Sequence, residues 1–195
     1  MTQRLKLEPS PISQTHVDKV FSPVCECESQ AANIDFSLRR SDHLKVAIRI
    51  DGRELTIADG EFHSGLVRLR WNGRDGSGAV VPDGIYFAVV HMLRAQRTID
   101  LPNPIRVDTQ PPTIALTGLR SNGPKLTVSY KASEPAHALL IVDGRRAVRT
   151  YYTARRSHFT WYGRVDGKPV RAGHHRLVLL AEDLAGNRSA PTPIP

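Results

Sequence analysis

The sequence predicts an all-β protein made of two tandem β-sandwich domains. Short apolar stretches alternate with polar residues at the two-residue period of half-buried strands. The 14 glycines and 14 prolines are spread along the 195 residues as punctuation between those stretches. A phrase that begins at Trp71 returns at Trp161, so one structural unit is used twice, and a repeat this long means one domain per copy.

The same signals divide the chain into four segments. The predicted boundaries are 1–19 for a leader or edge segment, 20–110 for the first domain, 111–190 for the second domain and 191–195 for a linker remnant. In the leader, Leu5 and Leu7 alternate with charged residues, as in a short edge strand. The proline-rich end is typical of a cut linker, and we therefore expect an excised fragment of a longer protein.

The elements of the first domain follow from its alternation. Apolar residues occupy every second position in four stretches, which centre on Phe36, Val46, Leu55 and Leu69. Asp51-Gly52 predicts a hairpin turn between the second and third stretches. An apolar strand runs from Ile85 to Leu93. The last strand, 98–107, is interrupted by two prolines, so it must be an edge strand or end at a bulge.

The second domain repeats this order. Asp143-Gly144 is the counterpart of Asp51-Gly52, and a closing strand follows His175. We match the strand at Leu126, Val128 and Tyr130 to the one at Ile34, Phe36 and Leu38.

The repeated phrase is predicted to be a structural corner rather than a ligand site. A tryptophan at the end of a strand buries a large ring, and its indole N–H needs a carbonyl partner that a turn can supply. Glycines suit turn positions with positive φ, and a Pro-Asp-Gly triplet presets a turn. The motif residues are Trp71, Gly73, Arg74, Gly78, Pro82, Gly84 and Tyr86 in the first copy and Trp161, Gly163, Arg164 and Gly173 in the second.

The net charge of +8 lies in one half of the chain. Residues 1–110 hold 14 basic and 14 acidic side chains, whereas residues 111–195 hold 13 and 5. Such asymmetry favours an anionic partner for the second half, or else a solvated surface. The candidate polyanion-binding residues, which are interleaved with aromatic residues, are Arg145, Arg146, Arg149, Arg155 and Arg156. The alternative is a hairpin whose aromatic residues pack inward and whose arginines are solvated.

No chemistry beyond this is predicted. Cys25 and Cys27 are either two reduced thiols or a Cys-x-Cys disulfide in an oxidising compartment. A zinc site needs about four ligands, and no second Cys/His pair has the required spacing, so we expect no metal and no cofactor. The sequence contains no nucleophile elbow, P-loop or dinucleotide-binding motif, and we expect no enzyme activity.

The stretch Trp71-Asn-Gly-Arg-Asp through Val81-Pro-Asp-Gly-Ile-Tyr86 resembles the signature of FlgD-type immunoglobulin-like domains. The resemblance covers about residues 20–190 and implies tandem immunoglobulin-like β-sandwiches of a bacterial cell-surface or secreted protein. In many relatives an acidic loop suited to calcium follows Phe-Ser-Pro, but Val24-Cys25-Glu26-Cys27 stands here, so calcium is not carried over. This variant resembles actinobacterial-type ectodomains that follow a membrane anchor. The resemblance then implies that the two cysteines pair.

We therefore expect a non-catalytic spacer or presentation module. The first alternative is a polyanion-binding module that acts through the basic second domain, and the other is a flagellar hook-cap-like assembly factor. The expected partner is a protein or an anionic surface polymer rather than nucleic acid. A membrane would be reached only through an anchor outside this sequence, and we expect a monomer.

Overall fold

The computed structural model describes residues 9–195, and these residues form β-strands and no helix. The predicted all-β class is therefore confirmed. The chain separates into two compact units, one ending at Asp108 and the other beginning at Thr109. Within the described range, no helix has the length and apolarity that a membrane span requires.

The described part of the first unit forms two sheets. Its strands are β1 (Ile12–Val17), β2 (Val20–Phe21), β3 (Ala32–Leu38), β4 (Asp42–Ile50), β5 (Arg53–Phe62), β6 (Gly65–Trp71), β7 (Gly84–Met92), β8 (Arg97–Asp100) and β9 (Ile105–Val107). One sheet has the order β1–β3–β6. The other has the order β2–β9–β7–β4–β5, and β8 pairs with β7.

The two sheets enclose one core because each strand buries every second side chain. Ile34 and Phe36 on β3 are fully buried, as are Leu44 and Ile48 on β4, and all four belong to one cluster. Apolar side chains from facing sheets that meet in this way define a β-sandwich. The first unit is therefore an immunoglobulin-like β-sandwich, with β8 and β9 separated where the prolines interrupt the predicted last strand.

Part of the segment predicted to be a leader belongs to the first sandwich. β1 pairs antiparallel with β3, and its two end residues, Ile12 and Val17, are buried. The ladder register shifts between Ser13 and His16, and Gln14 adopts a φ of 51°. This bulge removes the two-residue alternation. Leu5 and Leu7 lie outside the described residues.

The second unit is also a sandwich, and one strand belongs to both of its sheets. Its strands are β10 (Ile114–Asn122), β11 (Lys125–Val142), β12 (Arg145–Arg149), β13 (Ala154–Trp161), β14 (Arg164–Val165), β15 (Lys168–Pro169), β16 (Leu177–Glu182) and β17 (Thr192–Ile194). β10 and β13 flank the first part of β11, whereas β12 and β16 flank its last part. β14 and β15 form a separate small hairpin.

β11 changes sheets at the point where its ladder breaks. Its register with β13 shifts between Lys131 and Ala136, and Pro135, which has no N–H to donate, lies in that gap. Tyr130 from the first part and Leu140 from the last part pack into the same buried cluster. The first unit makes the equivalent crossing with two strands, β3 and β4, separated by residues 39–41.

The predicted linker remnant at 191–195 is wrong for three of its residues. β17 pairs antiparallel with β16, and Ile194 is buried in the core of the second unit. Pro191 and Pro193 flank Thr192, and the sequence pattern alone suggested a linker. An edge strand accepts proline because the N–H groups on its outer side need no ladder partner.

The pairing also corrects the match between the two units by two residues. Trp71 lies opposite Ala32, whereas Trp161 lies opposite Leu126. Ile34 of the first unit therefore corresponds to Val128 of the second rather than to Leu126. Alternation fixes which side of a strand is buried, but a shift of two residues preserves that pattern.

Candidate functional site

Trp71 closes the core of the first unit and anchors the corner formed by residues 71–86. It is 2% exposed. Its ring makes edge-to-face contacts with Phe21 and Tyr86, at centroid distances of 5.6 and 5.2 Å. The indole Nε1–H donates to the carbonyl oxygen of Arg74 at 3.2 Å. The only polar atom of this buried side chain is thus satisfied within the corner.

The loop after Trp71 is held by bonds among its own residues. Arg74 donates from Nη1 to the carbonyl oxygen of Gly78 at 2.9 Å. The Oδ1 of Asp75 accepts from the hydroxyl and the backbone N–H of Ser77 and from the N–H of Ala79, at 2.7, 2.8 and 3.1 Å. These bonds, the hydroxyl first, lower the pKa of Asp75. The carboxylate therefore works as a turn cap within the loop.

Gly73 is required by both conformation and space. Its φ is 69°, in the left-handed region. A Cβ at this position would lie 2.6 Å from Cγ of Pro23 and about 3 Å from the ring of Phe21. The corner thus packs directly on the Phe-Ser-Pro stretch that opens the first domain.

Tyr86 ties the end of the corner back to its loop. Its hydroxyl donates to the carbonyl oxygen of Pro82 at 2.6 Å, and burial raises the pKa of the phenol. Gly78 has a φ of 86°, whereas Gly84 needs no left-handed backbone and opens β7. The structure thus places the predicted motif residues of the first copy together, and the hydrogen bonds of Trp71, Arg74 and Tyr86 go to carbonyl oxygens of the same corner.

The second corner, residues 161–175, repeats the two central bonds. Trp161 is 9% exposed and donates its indole N–H to the carbonyl oxygen of Arg164 at 2.7 Å. Arg164 donates from Nη1 to the carbonyl oxygen of Gly167 at 2.9 Å. Gly163 has a φ of 68°, against 69° at Gly73. The two copies therefore build the same turn.

The last part of the second corner differs from the sequence match. The spacing from the tryptophan in the sequence matches Gly173 to Gly84. The structure differs, because Val178 of β16 lies opposite Ile141 as Phe87 of β7 lies opposite Arg49, in each case two residues before the Asp-Gly turn. By this register His175 stands where Gly84 stands, so the match at Gly173 is wrong by two residues. The β14–β15 hairpin stands in place of the loop of the first corner, and by this register the second corner is one residue longer from its tryptophan, 14 residues to His175 against 13 to Gly84.

His175 provides the tie that Tyr86 provides in the first corner. Its Nε2 lies 2.7 Å from the carbonyl oxygen of Arg171, four residues earlier, and its Nδ1 lies 2.6 Å from Oδ2 of Asp143. Two acceptors favour the doubly protonated ring. The hydrogen bond to Asp143, with the Arg171 carbonyl second, raises the pKa of His175, and the same bond lowers the pKa of Asp143.

A groove of about 670 Å³ lies beside the first corner. Its lining includes Arg70, Arg74 and Asp75 and contains no histidine, cysteine, serine or lysine. The carboxylate of Asp75 is already engaged by donors of its own loop. The one aliphatic hydroxyl of the lining, that of Thr56, has no histidine or lysine in this lining to act as its base.

The five candidate polyanion-binding arginines do not form one patch. Arg145, Arg146 and Arg149 lie on β12, which pairs with the last part of β11, whereas Arg155 and Arg156 lie on β13, which pairs mainly with its first part in the other sheet. The five arginines are close in the sequence but do not lie together in the structure, because the loop between β12 and β13 crosses from one sheet to the other.

Two of these arginines are engaged by acids. Arg145 forms an ion pair with Asp166. Arg149 lies 3.0 Å from Glu182, which also pairs with Arg188 at 2.9 Å. Although burial of Glu182 opposes ionisation, the two arginines lower its pKa. The aromatic residues interleaved with these arginines differ in exposure. Phe159 and Trp161 are buried, whereas Tyr151 and Tyr152 are 83% and 78% exposed.

The register of the sheet reveals a cation that the sequence pattern did not single out. Lys131 on β11 lies directly opposite Arg156 on β13. The two residues are 25 positions apart, so only the ladder register could have paired them.

Cys25 and Cys27 are joined by a disulfide, with 5.2 Å between their Cα atoms. The bridge lies on the loop between β2 and β3, next to Pro23, which contacts the first corner.

No family model matches the chain, and no curated protein matches it. Among solved structures it is similar to the fibronectin(III)-like modules of Clostridium thermocellum CbhA, at 18% identity and a TM-score of 0.48, over 92% of this chain and 91% of that one. It is also similar to the YadV chaperone, at 9% identity and a TM-score of 0.36, over 95% and 100% of the two chains. A third similarity is to the BSP domain of a biofilm associated protein, at 12% identity and a TM-score of 0.33, over 94% and 29%. At these values the similarities carry no argument about function.

Proposed function

We propose that the chain is a pair of non-catalytic FlgD-type immunoglobulin-like modules that space or present other parts of a bacterial cell-surface or secreted protein. One observation carries the proposal. In both corners the indole N–H of the tryptophan and the guanidinium of the arginine bond to carbonyl oxygens of the same turn. These bonds hold each turn together, so a structural role explains the tryptophan and the arginine of the motif without a ligand.

The chemistry of the groove supports the same proposal. Its one carboxylate caps its own loop, and its one aliphatic hydroxyl, that of Thr56, has no histidine or lysine in the lining to activate it. Other side-chain networks on the first unit link acids to bases across neighbouring strands, as His43 does with Asp59 at 2.7 Å. Such pairs stabilise a sheet surface and need no substrate to explain them.

The disulfide supports the extracytoplasmic part of the proposal. Disulfides form and persist in oxidising compartments and are rare in the cytosol of mesophiles. The bridge between Cys25 and Cys27 closes a loop of three residues, so its entropic contribution is limited to about 1.5 kcal/mol. A bond that stabilises so little is expected to persist only where the surroundings are oxidising.

Sedimentation equilibrium of the full chain tests the spacer role. A spacer is expected to remain monomeric from micromolar to near-millimolar concentration. Concentration-dependent self-association would instead support the hook-cap-like assembly factor and would contradict a passive spacer.

Thiol labelling tests the compartment. Protein isolated from its native host under non-reducing conditions should take up a thiol reagent only after reduction. The Cys25→Ser/Cys27→Ser variant provides the blank, because the chain has no other cysteine. Labelling without reduction would contradict an extracytoplasmic location.

A further inference from the structure

The outer face of the β10–β11–β13 sheet is basic. Alternation and register place the following side chains on it, a set we call the basic face: Arg120, Lys125, Lys131, Arg156, His158 and Tyr162. No aspartate or glutamate stands at an outward-facing ladder position of these three strands. None of the four Lys and Arg side chains forms an ion pair with any residue in the range 9–195. They are therefore free to meet an external anion.

Contacts on the same side of the sheet confirm this placement. The hydroxyls of Thr127 and Thr160 lie 3.1 Å apart across β11 and β13. At one end of the face, Nζ of Lys125 lies 5.7 Å from the ring centroid of Tyr162. Between the two ends, the face carries the small side chains of Thr127, Ser129 and Thr160 and the imidazole of His158, so the middle of the face is polar.

The pair of cations at the other end of the face, opposite to Lys125, lowers the stability of the sheet. Lys131 and Arg156 are direct cross-strand partners, and like charges in that position are destabilising. No acid relieves them on this face. The first unit differs at the equivalent sheet, where Asp35 lies opposite Arg68 and also opposite His16.

We propose that the basic face binds an extended anionic polymer with a non-aromatic backbone, such as a polysaccharide or polyol chain bearing carboxylate or phosphate groups. From Lys125 to Lys131 the face spans about 20 Å at the usual rise of about 3.4 Å per residue. That length reaches several charged units of an extended chain. The small central residues let the polymer lie close to the sheet, so that it meets cations from all three strands.

A nucleic acid fits this face less well. Single-strand binders stack bases on several exposed aromatic side chains, but Tyr162 on this face is already covered by Lys125, which leaves only the imidazole of His158. Reading a duplex groove needs a protruding helix or ribbon, whereas this face is a flat sheet. The inference goes beyond the spacer role and does not depend on it.

Binding of the full chain to two polymers tests the proposal, with polygalacturonate as the carboxylate probe and inorganic polyphosphate as the phosphate probe. The Lys131→Gln/Arg156→Gln variant should bind at least about tenfold more weakly at low salt, because two direct contacts are lost. The slope of log affinity against log salt should fall by roughly 1.5. The polymer bound more tightly identifies the anionic group.

The matched control is Arg145→Gln/Arg146→Gln, which removes the same charge from β12 in the opposite sheet. It should change affinity by less than about twofold. Ser129→Asp is a second variant, which keeps every cation, places an acid at the centre of the face and should also weaken binding. Equal losses in the two double variants, or no binding of either polymer, would overturn the proposal. Tighter binding to oligothymidylate than to both polymers would replace it with a nucleic-acid site.

Discussion

The equivalent sheets of the two units, β1–β3–β6 and β10–β11–β13, match on their core faces and differ on their outer faces. Each buries a tryptophan at the end of its last strand. Outward, three residues before that tryptophan, the first sheet pairs Arg68 with Asp35, whereas the second pairs His158 with Ser129. Packing restricts the buried positions, whereas water tolerates either charge pattern outside. Any difference in partner between the units is therefore expected on these outer faces.

The two corners share a backbone turn but differ in the side chains that pack against the tryptophan. Both keep the indole bond to the carbonyl three residues on. Only the first surrounds its tryptophan with two further rings, those of Phe21 and Tyr86. We therefore expect the same turn in both corners but a stronger anchor in the first.

Replacement of the tryptophans should have the largest effect. Trp71→Ala should lower the free energy of unfolding of the first unit by about 3–5 kcal/mol, because a buried ring and two aromatic contacts are lost. Trp161→Ala should cost the second unit less. Chemical denaturation followed by far-UV circular dichroism measures each loss, and the one tryptophan left in each variant is a fluorescent control for the unit that was not changed. A loss at Trp71 no larger than that at Trp161 would break the comparison.

Replacement of the corner glycines should have the second-largest effect on the free energy of unfolding. Gly73→Ala introduces both a strained φ and a close approach to Pro23, and it should cost more than about 2 kcal/mol. Gly163→Ala has nearly the same φ but only a contact at 3.5 Å, to the carbonyl oxygen of Pro124, and should cost about 1 kcal/mol. Thermal unfolding of the two variants measures the difference. Equal losses would mean that packing against Pro23 contributes nothing.

Exchange of the outer charge should have a smaller effect. Asp35→Ser removes an acid that lies opposite Arg68 and should cost the first unit about 0.2–1 kcal/mol. The variant should also strengthen retention of the chain on an anionic polymer, because it makes the first outer face resemble the second. Unchanged retention would show that the outer charge pattern does not decide binding.

The pH dependence of the second unit should be the smallest effect, because His175 and Asp143 are solvent-accessible. The folded-state pKa of His175 is raised, so its contribution is present below its ordinary pKa of about 6.5 and is lost as pH rises through the folded value. The pKa of Asp143 is lowered, so its contribution is lost as pH falls through the folded value. Thermal unfolding of the wild type and His175→Gln should therefore differ at mildly acidic pH and converge above neutrality. A constant difference across this range would be inconsistent with the pair.

The sequence predicted strands well wherever one face is buried. β3 and β4 alternate cleanly because their inward residues fill one core. β1 was missed because its bulge at Gln14 breaks the alternation, and β17 because prolines flank Thr192. The 18 residues of β11 were not foreseen as one strand, since the proline at its centre suggests an end.

The candidate sites also differ in whether a local sequence signal identifies them. The corner residues could be identified because turn chemistry is local, and their spacing from the tryptophan carries the information. The basic face could not be predicted from the sequence, because Lys131 lies opposite Arg156 only through the long-range register of β11 and β13. Arg145 and Arg149 were wrongly grouped with Arg156 since no local signal shows that a strand changes sheets.

Exchange of the two indole N–H protons tests the central claim that both corners are internal structural joints. The chain has two tryptophans, so its amide spectrum contains two indole resonances, one for each corner. Both should exchange slowly with solvent, because each N–H is bonded to a turn carbonyl, and neither should shift when calcium is added. Fast exchange, or a shift on addition of calcium, would contradict the account and make the corner a binding surface.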